Sequence, residues 1–217
     1  MSTRDSSEDV KKRYDRIAPI YDILEGVIER IAFSRWRQKF WQDINKEVRS
    51  DDRILEAGVG TGKNIPYYPS VGKISAIDFS PGMIAEAEKR LSKHDNEQKN
   101  IVLEVMDIED LGFAAESFDI IVTTCVFCSV PNPVIGLTEL KRVLQPKGRI
   151  YMLEHMLSHK FFLKQLMNTF NFFPRYLWGA NINRRTMENI RKAGLNVIYE
   201  ENIWLDIFKQ IVLSKGG

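Results

Sequence analysis

Arg53-Ile54-Leu55-Glu56-Ala57-Gly58-Val59-Gly60-Thr61-Gly62 is the stretch that decides the fold. A short apolar strand runs without a linker into glycines at 58, 60 and 62. A strand stopped by a glycine cluster marks the turn into a helix at the carboxyl edge of a parallel sheet. The spacing is not a dinucleotide fingerprint, which needs its third glycine where Lys63 stands. It is not a phosphate loop either, which needs a glycine at 63 followed by lysine. Alternating glycines let backbone approach a ligand closely without building a pyrophosphate cradle. Taken alone, they could be no more than a tight strand-to-helix turn.

Outward from this loop, strands and helices alternate. Lys73 to Asp78 is a strand stopped by Ser80-Pro81-Gly82. Ser80 can cap a helix with Pro81 at its first position, running from Met83 to about Lys93. Ile101 to Met106, Phe118 to Cys125 and Arg149 to Leu153 are further strands. The apolar run from Phe118 suits the centre of a parallel sheet. Val134 to Leu144 is a helix closed by Gln145-Pro146-Lys147-Gly148, and another spans about Arg184 to Ala193. Asn196 to Asn202 and Phe208 to Leu213 form a closing hairpin. Before the loop, Val10 to Val48 has the apolar spacing of helices, and Pro19 and Gly26 are expected to break it. The expected fold is α/β: a doubly wound, mostly parallel seven-stranded sheet with a C-terminal antiparallel hairpin and a helical N-terminal extension. The extension covers residues 1–48 and the main domain residues 49–217.

Composition narrows the function classes. The 217 residues are 44% hydrophobic and 28% charged, with a formal net charge of +2. A chain of this length buries roughly 70% of its unfolded surface and needs no disulfides. Disordered, collagen-like and disulfide-scaffold proteins are excluded, and a globally basic nucleic-acid binder is not indicated. Two cysteines and no apolar leader predict a reducing, cytoplasmic setting. Cys125 and Cys128 form C-x-x-C, but two cysteines cannot make a four-thiolate site, so packing beside a ligand is expected and no metal.

Acidic residues at successive strand ends point to a ligand. Asp78 lies twenty residues past Gly58, where a carboxylate can accept both hydroxyls of a ribose. Asp107 ends the third strand, where it can accept from an adenine amino group. Glu56, on the first strand, is placed for a cationic amino-acid moiety. Together they favour an adenosine that carries positive charge instead of phosphates.

At these residues the chain resembles the class I S-adenosylmethionine-dependent methyltransferases over essentially its whole length. Leu55 to Gly62 resembles their first motif, Asp78 their second-strand acid, and Met106-Asp107-Ile108 their adenine-side motif. The resemblance implies S-adenosylmethionine as cofactor and a Rossmann-like methyltransferase fold. Glu56, Gly58, Gly60 and Gly62 would hold the methionine end, and Phe79, Met83 and Ile108 would flank the adenosine. Thr124 and Cys125 would meet the amino group through backbone carbonyls. Arg13-Tyr14-Asp15-Arg16-Ile17-Ala18-Pro19-Ile20-Tyr21-Asp22 is similar to the opening of quinone C-methyltransferases and bacterial phospholipid N-methyltransferases. Asn64-Ile65-Pro66-Tyr67-Tyr68-Pro69, Val126-Phe127-Cys128-Ser129-Val130 and Glu154-His155 look more like the phospholipid enzymes, and alkyl thiol methyltransferases share these features. The resemblance thus implies methylation of a phosphatidylethanolamine-type amine. Quinone C-methylation, small-thiol S-methylation and a cofactor-binding regulator are the alternatives.

Two further groups complete the expectation. Tyr14 and Tyr21 are seven apart and can share one helix face, either as core aromatics or as a lid that excludes water. With His155 they are the candidates to assist or orient the nucleophile, and Tyr21 would also touch the cofactor. Lys160 to Trp178 is rich in aromatics, with Lys160, Lys164, Arg175, Arg184 and Arg185 in or beside it. It is either a buried helix or a peripheral surface that meets anionic lipid at the inner membrane face and receives an amphipathic acceptor.

Overall fold

The structure is a computed structural model that describes residues 7–28, 33–93, 100–171 and 181–216. In chain order the elements are α1 (Ser7–Ile28), α2 (Ser34–Asn45), β1 (Arg53–Ala57), a 3-10 turn (Ile65–Tyr67), β2 (Lys73–Asp78), α3 (Pro81–Lys93), β3 (Ile101–Val105), β4 (Phe118–Thr124), α4 (Pro133–Val143), β5 (Leu144–His155), α5 (Phe161–Phe170), α6 (Thr186–Lys192), β6 (Asn196–Trp204) and β7 (Phe208–Ser214).

The seven strands form one sheet in the order β3-β2-β1-β4-β5-β7-β6. The first five strands are parallel, and β7 runs antiparallel to both β5 and β6. The expected doubly wound sheet with its closing hairpin is therefore present. Position explains composition. β4 sits in the middle with Ile121 and Val122 fully buried, whereas the edge strand β3 leaves Val102 and Val105 half exposed. Chain order reverses at β1 and β4, which opens a crevice at their carboxyl ends.

Apolar side chains bury on both faces. One layer packs Leu137, Leu140 and Val143 of α4 and Ile190 of α6 against Leu55, Ile121, Ile150 and Met152. The other packs Phe40, Trp41 and Ile44 of α2 and Ile84 and Ala87 of α3 against Ile54, Ala76, Val122 and Leu153. Within the N-terminal extension, then, α2 is part of the sheet's own core. α1 is the element that lies across the crevice.

Two local expectations fail for tertiary reasons. α1 continues through both Pro19 and Gly26. Proline forfeits one backbone hydrogen bond, but α1 packs against α3, with Val10 and Ala18 buried. Gly82 makes that approach possible, since a Cβ there would lie 3.2 Å from Asp15 Cα and 3.3 Å from Ala18 Cβ. The second failure is at Gln145-Pro146-Lys147-Gly148, expected as a loop. β5 begins at Leu144, opposite Phe118, and the register shifts before Arg149 pairs with Ile120. The four residues form a bulge inside the strand. Gly148 is needed there, because a Cβ would come within 2.8 Å of the Asp119 carbonyl oxygen.

Candidate functional site

A cavity of about 590 Å³ opens along the carboxyl edge of the sheet. Its volume lies within the range of small-molecule sites, roughly 300–1,000 Å³. Strand order fixes what lines it. Asp107 follows β3, Asp78 ends β2, Gly58 and Gly60 follow β1, and Thr124 and Cys125 end β4. His155 closes β5, and Phe208 opens β7. Phe79, Met83, Ile108, Tyr14 and Tyr21 complete the set of expected residues on the wall.

The three glycines do different work. All have positive φ, at +83°, +56° and +78° for Gly58, Gly60 and Gly62. A Cβ on Gly62 would meet Ile65 Cδ1 at 2.6 Å and Ala87 Cα at 3.1 Å, so this glycine serves packing of the loop on α3. It does not line the cavity. A Cβ on Gly60 would meet nothing within 4 Å, because the space beside it is the cavity. That open cradle, next to the Asp78 carboxylate, suits a ligand that presses close to backbone.

Asp78 is organised by its own surroundings. Its Oδ2 accepts from the Gly60 amide at 2.9 Å and its Oδ1 from the Ser80 amide at 3.0 Å. Burial pushes its pKa up to about 6, and the nearby charge of Asp15 pushes the same way. Ser80 caps α3 as expected, its Oγ accepting from the Met83 amide at 3.1 Å. Asp15 reaches the same helix start from α1: its Oδ1 accepts from Ser80 Oγ at 2.5 Å and from the Gly82 amide at 3.1 Å. This clamp sets α1 over the cavity.

On α1, Tyr14 and Tyr21 lie side by side with ring centroids 6.2 Å apart, and Tyr14 meets Phe79 edge-on at 5.7 Å. The Tyr14 hydroxyl lies 2.5 Å from Ser129 Oγ on the β4–α4 loop, bridging the cavity from one wall to the other. Lys63 Nζ stands 5.2 Å from the Tyr21 ring centroid.

Glu56 lies on β1, as the sequence places it, but off the cavity wall. It is fully buried and stands behind the wall instead of on it. Its carboxylate accepts from Asn64 Nδ2 and from the Tyr68 hydroxyl. Burial raises its pKa to about 7 despite those hydrogen bonds and the charge of Arg37. The cavity instead meets Asn64, which accepts from Arg37 Nη1 at 2.7 Å and donates to Thr124 Oγ1 at 3.1 Å. Arg37 and Asn64 were not singled out as site residues. Arg37 carried a signal, a charge on the otherwise apolar face of α2 that holds Phe40, Trp41 and Ile44.

Glu154 and His155 separate across the pleat. Glu154 is fully buried, and its Oε1 accepts from Thr123 Oγ1 and the Val126 amide, each at 3.0 Å, bracing the turn after β4. His155 faces the cavity, where burial pushes its pKa down to about 4 and leaves a neutral imidazole. It packs 5.7 Å from Phe208, its register partner on β7. Phe33 and Trp36 surround Phe208 at 4.9 Å and 5.5 Å, and Trp204 stands 6.4 Å away. The far end of the cavity is thus an aromatic chamber around one neutral histidine. Among the described residues, the only acids on the cavity wall are Asp78 and Asp107, at the other end. Phe33, Trp204 and Phe208 were not anticipated.

Cys125 and Cys128 both line the cavity, with Cys128 Sγ donating to the Cys125 carbonyl at 3.1 Å. Arg184 does not face outward as expected: it donates to the Cys128 and Val130 carbonyls at 3.3 Å and 2.7 Å. Arg185 pairs with Glu188 at 3.5 Å. Phe172, Phe173, Arg175, Tyr176 and Trp178 lie outside the described residues.

Comparison with known proteins agrees with this geometry. Residues 55–152 match the methyltransferase domain family. A demethylmenaquinone methyltransferase of Lactobacillus johnsonii is 29% identical over 96% of this chain and 88% of its own length. A phosphatidylethanolamine N-methyltransferase of Cereibacter sphaeroides is 33% identical over 70% of each chain. A human thiol S-methyltransferase is 28% identical over 73% of this chain and 66% of its own. These similarities extend over the mostly parallel seven-stranded sheet and its glycine loop. The chain belongs to the class I S-adenosylmethionine-dependent methyltransferases, enzymes that take their methyl group from that cofactor.

Proposed function

We propose that the protein methylates a ring carbon of an apolar, phenolic acceptor of the quinol type. The observation that carries this reading is the chamber formed by Phe33, Trp204, Phe208 and neutral His155, distant from both cavity aspartates. Aromatic walls take a planar apolar ring, and a neutral imidazole nitrogen can accept a hydrogen bond from its hydroxyl. At the other end Asp78 accepts the ribose hydroxyls, Asp107 and Ile108 meet the adenine, and Phe79 and Met83 flank it. The amides of the glycine loop, with Asn64 and Arg37, hold the methionine end, where Arg37 suits a carboxylate. When bound, S-adenosylmethionine supplies an electrophilic methyl group.

Among the described residues, the titratable group of the chamber is His155. A primary ammonium must lose a proton before its nitrogen has a pair to donate, and it needs a base to take it. His155, with its pKa near 4, is a weak one. A phenolic ring would attack the methyl with its π electrons as the methyl–sulfur bond breaks and the demethylated cofactor leaves as a neutral thioether. The now acidic ring proton would pass to water or to the neutral His155 imidazole. Orientation and exclusion of water then dominate, and Tyr14 and Tyr21 on α1 are placed to close the cavity.

Phosphatidylethanolamine is the second reading, favoured by the Cereibacter relative and by the attraction of aromatic faces for ammonium groups. Incubation with methyl-labelled cofactor and three acceptors separates the readings: a reduced, short-tailed naphthoquinone, phosphatidylethanolamine vesicles and a small alkyl thiol. Label is expected on the quinol ring. Label on the amine or the thiol alone overturns the proposal.

A further inference from the structure

Arg184 turns its guanidinium onto the loop between β4 and α4. Its Nε donates to the Cys128 carbonyl at 3.3 Å and its Nη2 to the Val130 carbonyl at 2.7 Å, so one rigid fork holds the residues on either side of Ser129. The Asn181 amide donates to the same Cys128 carbonyl at 2.9 Å. From the other edge of that peptide plane, the Ser129 amide donates to the Val126 carbonyl at 2.9 Å. The planar peptide that enters Ser129 is thus held at both its oxygen and its nitrogen, which fixes the direction its side chain takes. The Ser129 hydroxyl is the group that meets Tyr14 of α1, at 2.5 Å.

Residues 181–184 are themselves tied to the His155 end of the cavity. The amide of Leu157, just past His155, donates to the Arg184 carbonyl at 2.9 Å. The Ile182 amide donates to Asn171 Oδ1 at 2.8 Å, and Ile182 lines the cavity. We infer that Arg184 is a positioning residue for closure of the cavity: it holds Ser129 as the post on which Tyr14 lands. The post is therefore set from the end of the site where β5 exits, while Tyr14 arrives on α1 from the cofactor end, where it meets Phe79. This role rests on α1 closing the cavity, as proposed above, and holds for any acceptor. An arginine that only stabilised the loop would leave the behaviour of Tyr14 unchanged.

The two roles differ in the release rate of S-adenosylhomocysteine, the demethylated product, measured by surface plasmon resonance on the immobilised full chain with no acceptor present. Release requires α1 to lift, so Tyr14→Phe should speed it about fivefold, the worth of one net hydrogen bond. Arg184→Gln should speed release by a similar factor, because Ser129 is no longer held in place. Both changes remove the same contact, so the double variant should also stay near about fivefold, whereas independent effects would multiply to about twenty-five. A cooperative thermal transition shows that each variant folds. Where Arg184→Gln does not fold, Arg184→Lys takes its place in the cycle with the same expectation, since it keeps the charge but lacks the fork that spans both carbonyls. Multiplying effects, or an Arg184 variant that releases product at the wild-type rate, overturn the positioning role alone. Release unchanged by Tyr14→Phe overturns the closing role of α1 and the positioning role with it.

Discussion

Substituting alanine at Gly60 and at Gly62 separates ligand room from packing room within one loop. Both glycines adopt left-handed backbone, at φ +56° and +78°. Either substitution therefore costs about 1–2 kcal/mol in backbone strain. Their surroundings differ. At Gly62 the new methyl would lie 2.6 Å from Ile65 Cδ1 and 3.1 Å from Ala87 Cα, inside the packed contact between loop and α3. Overpacking of that kind adds about 1–3 kcal/mol, for a total of roughly 2–5 kcal/mol. Against a total stability of about 5–15 kcal/mol, that is a large fraction. At Gly60 the methyl meets no protein atom within 4 Å and enters the cavity. The loss of stability should stop at the strain term, while a cofactor seated against that backbone must move away. An overlap costing the same 1–3 kcal/mol weakens binding by roughly five- to more than a hundredfold. Urea titration reports the stability change and calorimetry with S-adenosylhomocysteine the affinity. Wild-type affinity in Gly60→Ala would refute the placement of the cofactor in this cradle. Equal destabilisation by the two substitutions would refute the division of labour.

Two further outcomes follow from the site. Asp78, with its pKa raised to about 6 chiefly by burial, is protonated below that pH and cannot accept both ribose hydroxyls. Affinity for S-adenosylhomocysteine should therefore rise about tenfold from pH 5 to pH 7 and then level off. Asp78→Asn should flatten that profile, and a profile unchanged by the substitution removes Asp78 from the binding site. Tyr14→Phe keeps the ring contacts with Tyr21 and Phe79 but removes the hydroxyl 2.5 Å from Ser129 Oγ, a bond worth about 1 kcal/mol net. Turnover should fall by up to about fivefold with the melting temperature nearly unchanged, and undiminished turnover rules out the bridge as a closing contact.

Legibility along the chain followed the range of the interactions involved. The strands, the glycine loop and the Ser80 cap were readable because period, turn chemistry and capping act within a few residues. Asp78, Asp107, Thr124, Cys125 and His155 were readable because each ends or closely follows a strand, and parallel strands deliver their ends to one edge. Arg37, Asn64, Glu56 and Tyr68 meet across α2, the 3-10 turn and β1, so no local pattern encodes their network. Phe33 and Phe208 are far apart in sequence and become neighbours only where α2 crosses the β5–β7 pair. Pro19 and Gly26 misled because intrinsic helix propensity is weak beside the packing of α1 on α3.

By itself, then, the amino-acid sequence determined the alternation of strands and helices, the glycine turn, and the acids that end β2 and follow β3. Those are properties of short segments, set by side-chain period and backbone conformational limits. Tertiary structure alone decided that Glu56 stands behind the wall with Asn64 before it. It also decided that Gly62 serves packing while Gly60 leaves room for a ligand. The chamber around His155 likewise exists only once β7 is paired antiparallel with β5 and α2 is laid over both. A residue's partner across the fold depends on where the whole chain is packed, and burial, which sets the charge state of Asp78 and His155, is a property of that packing.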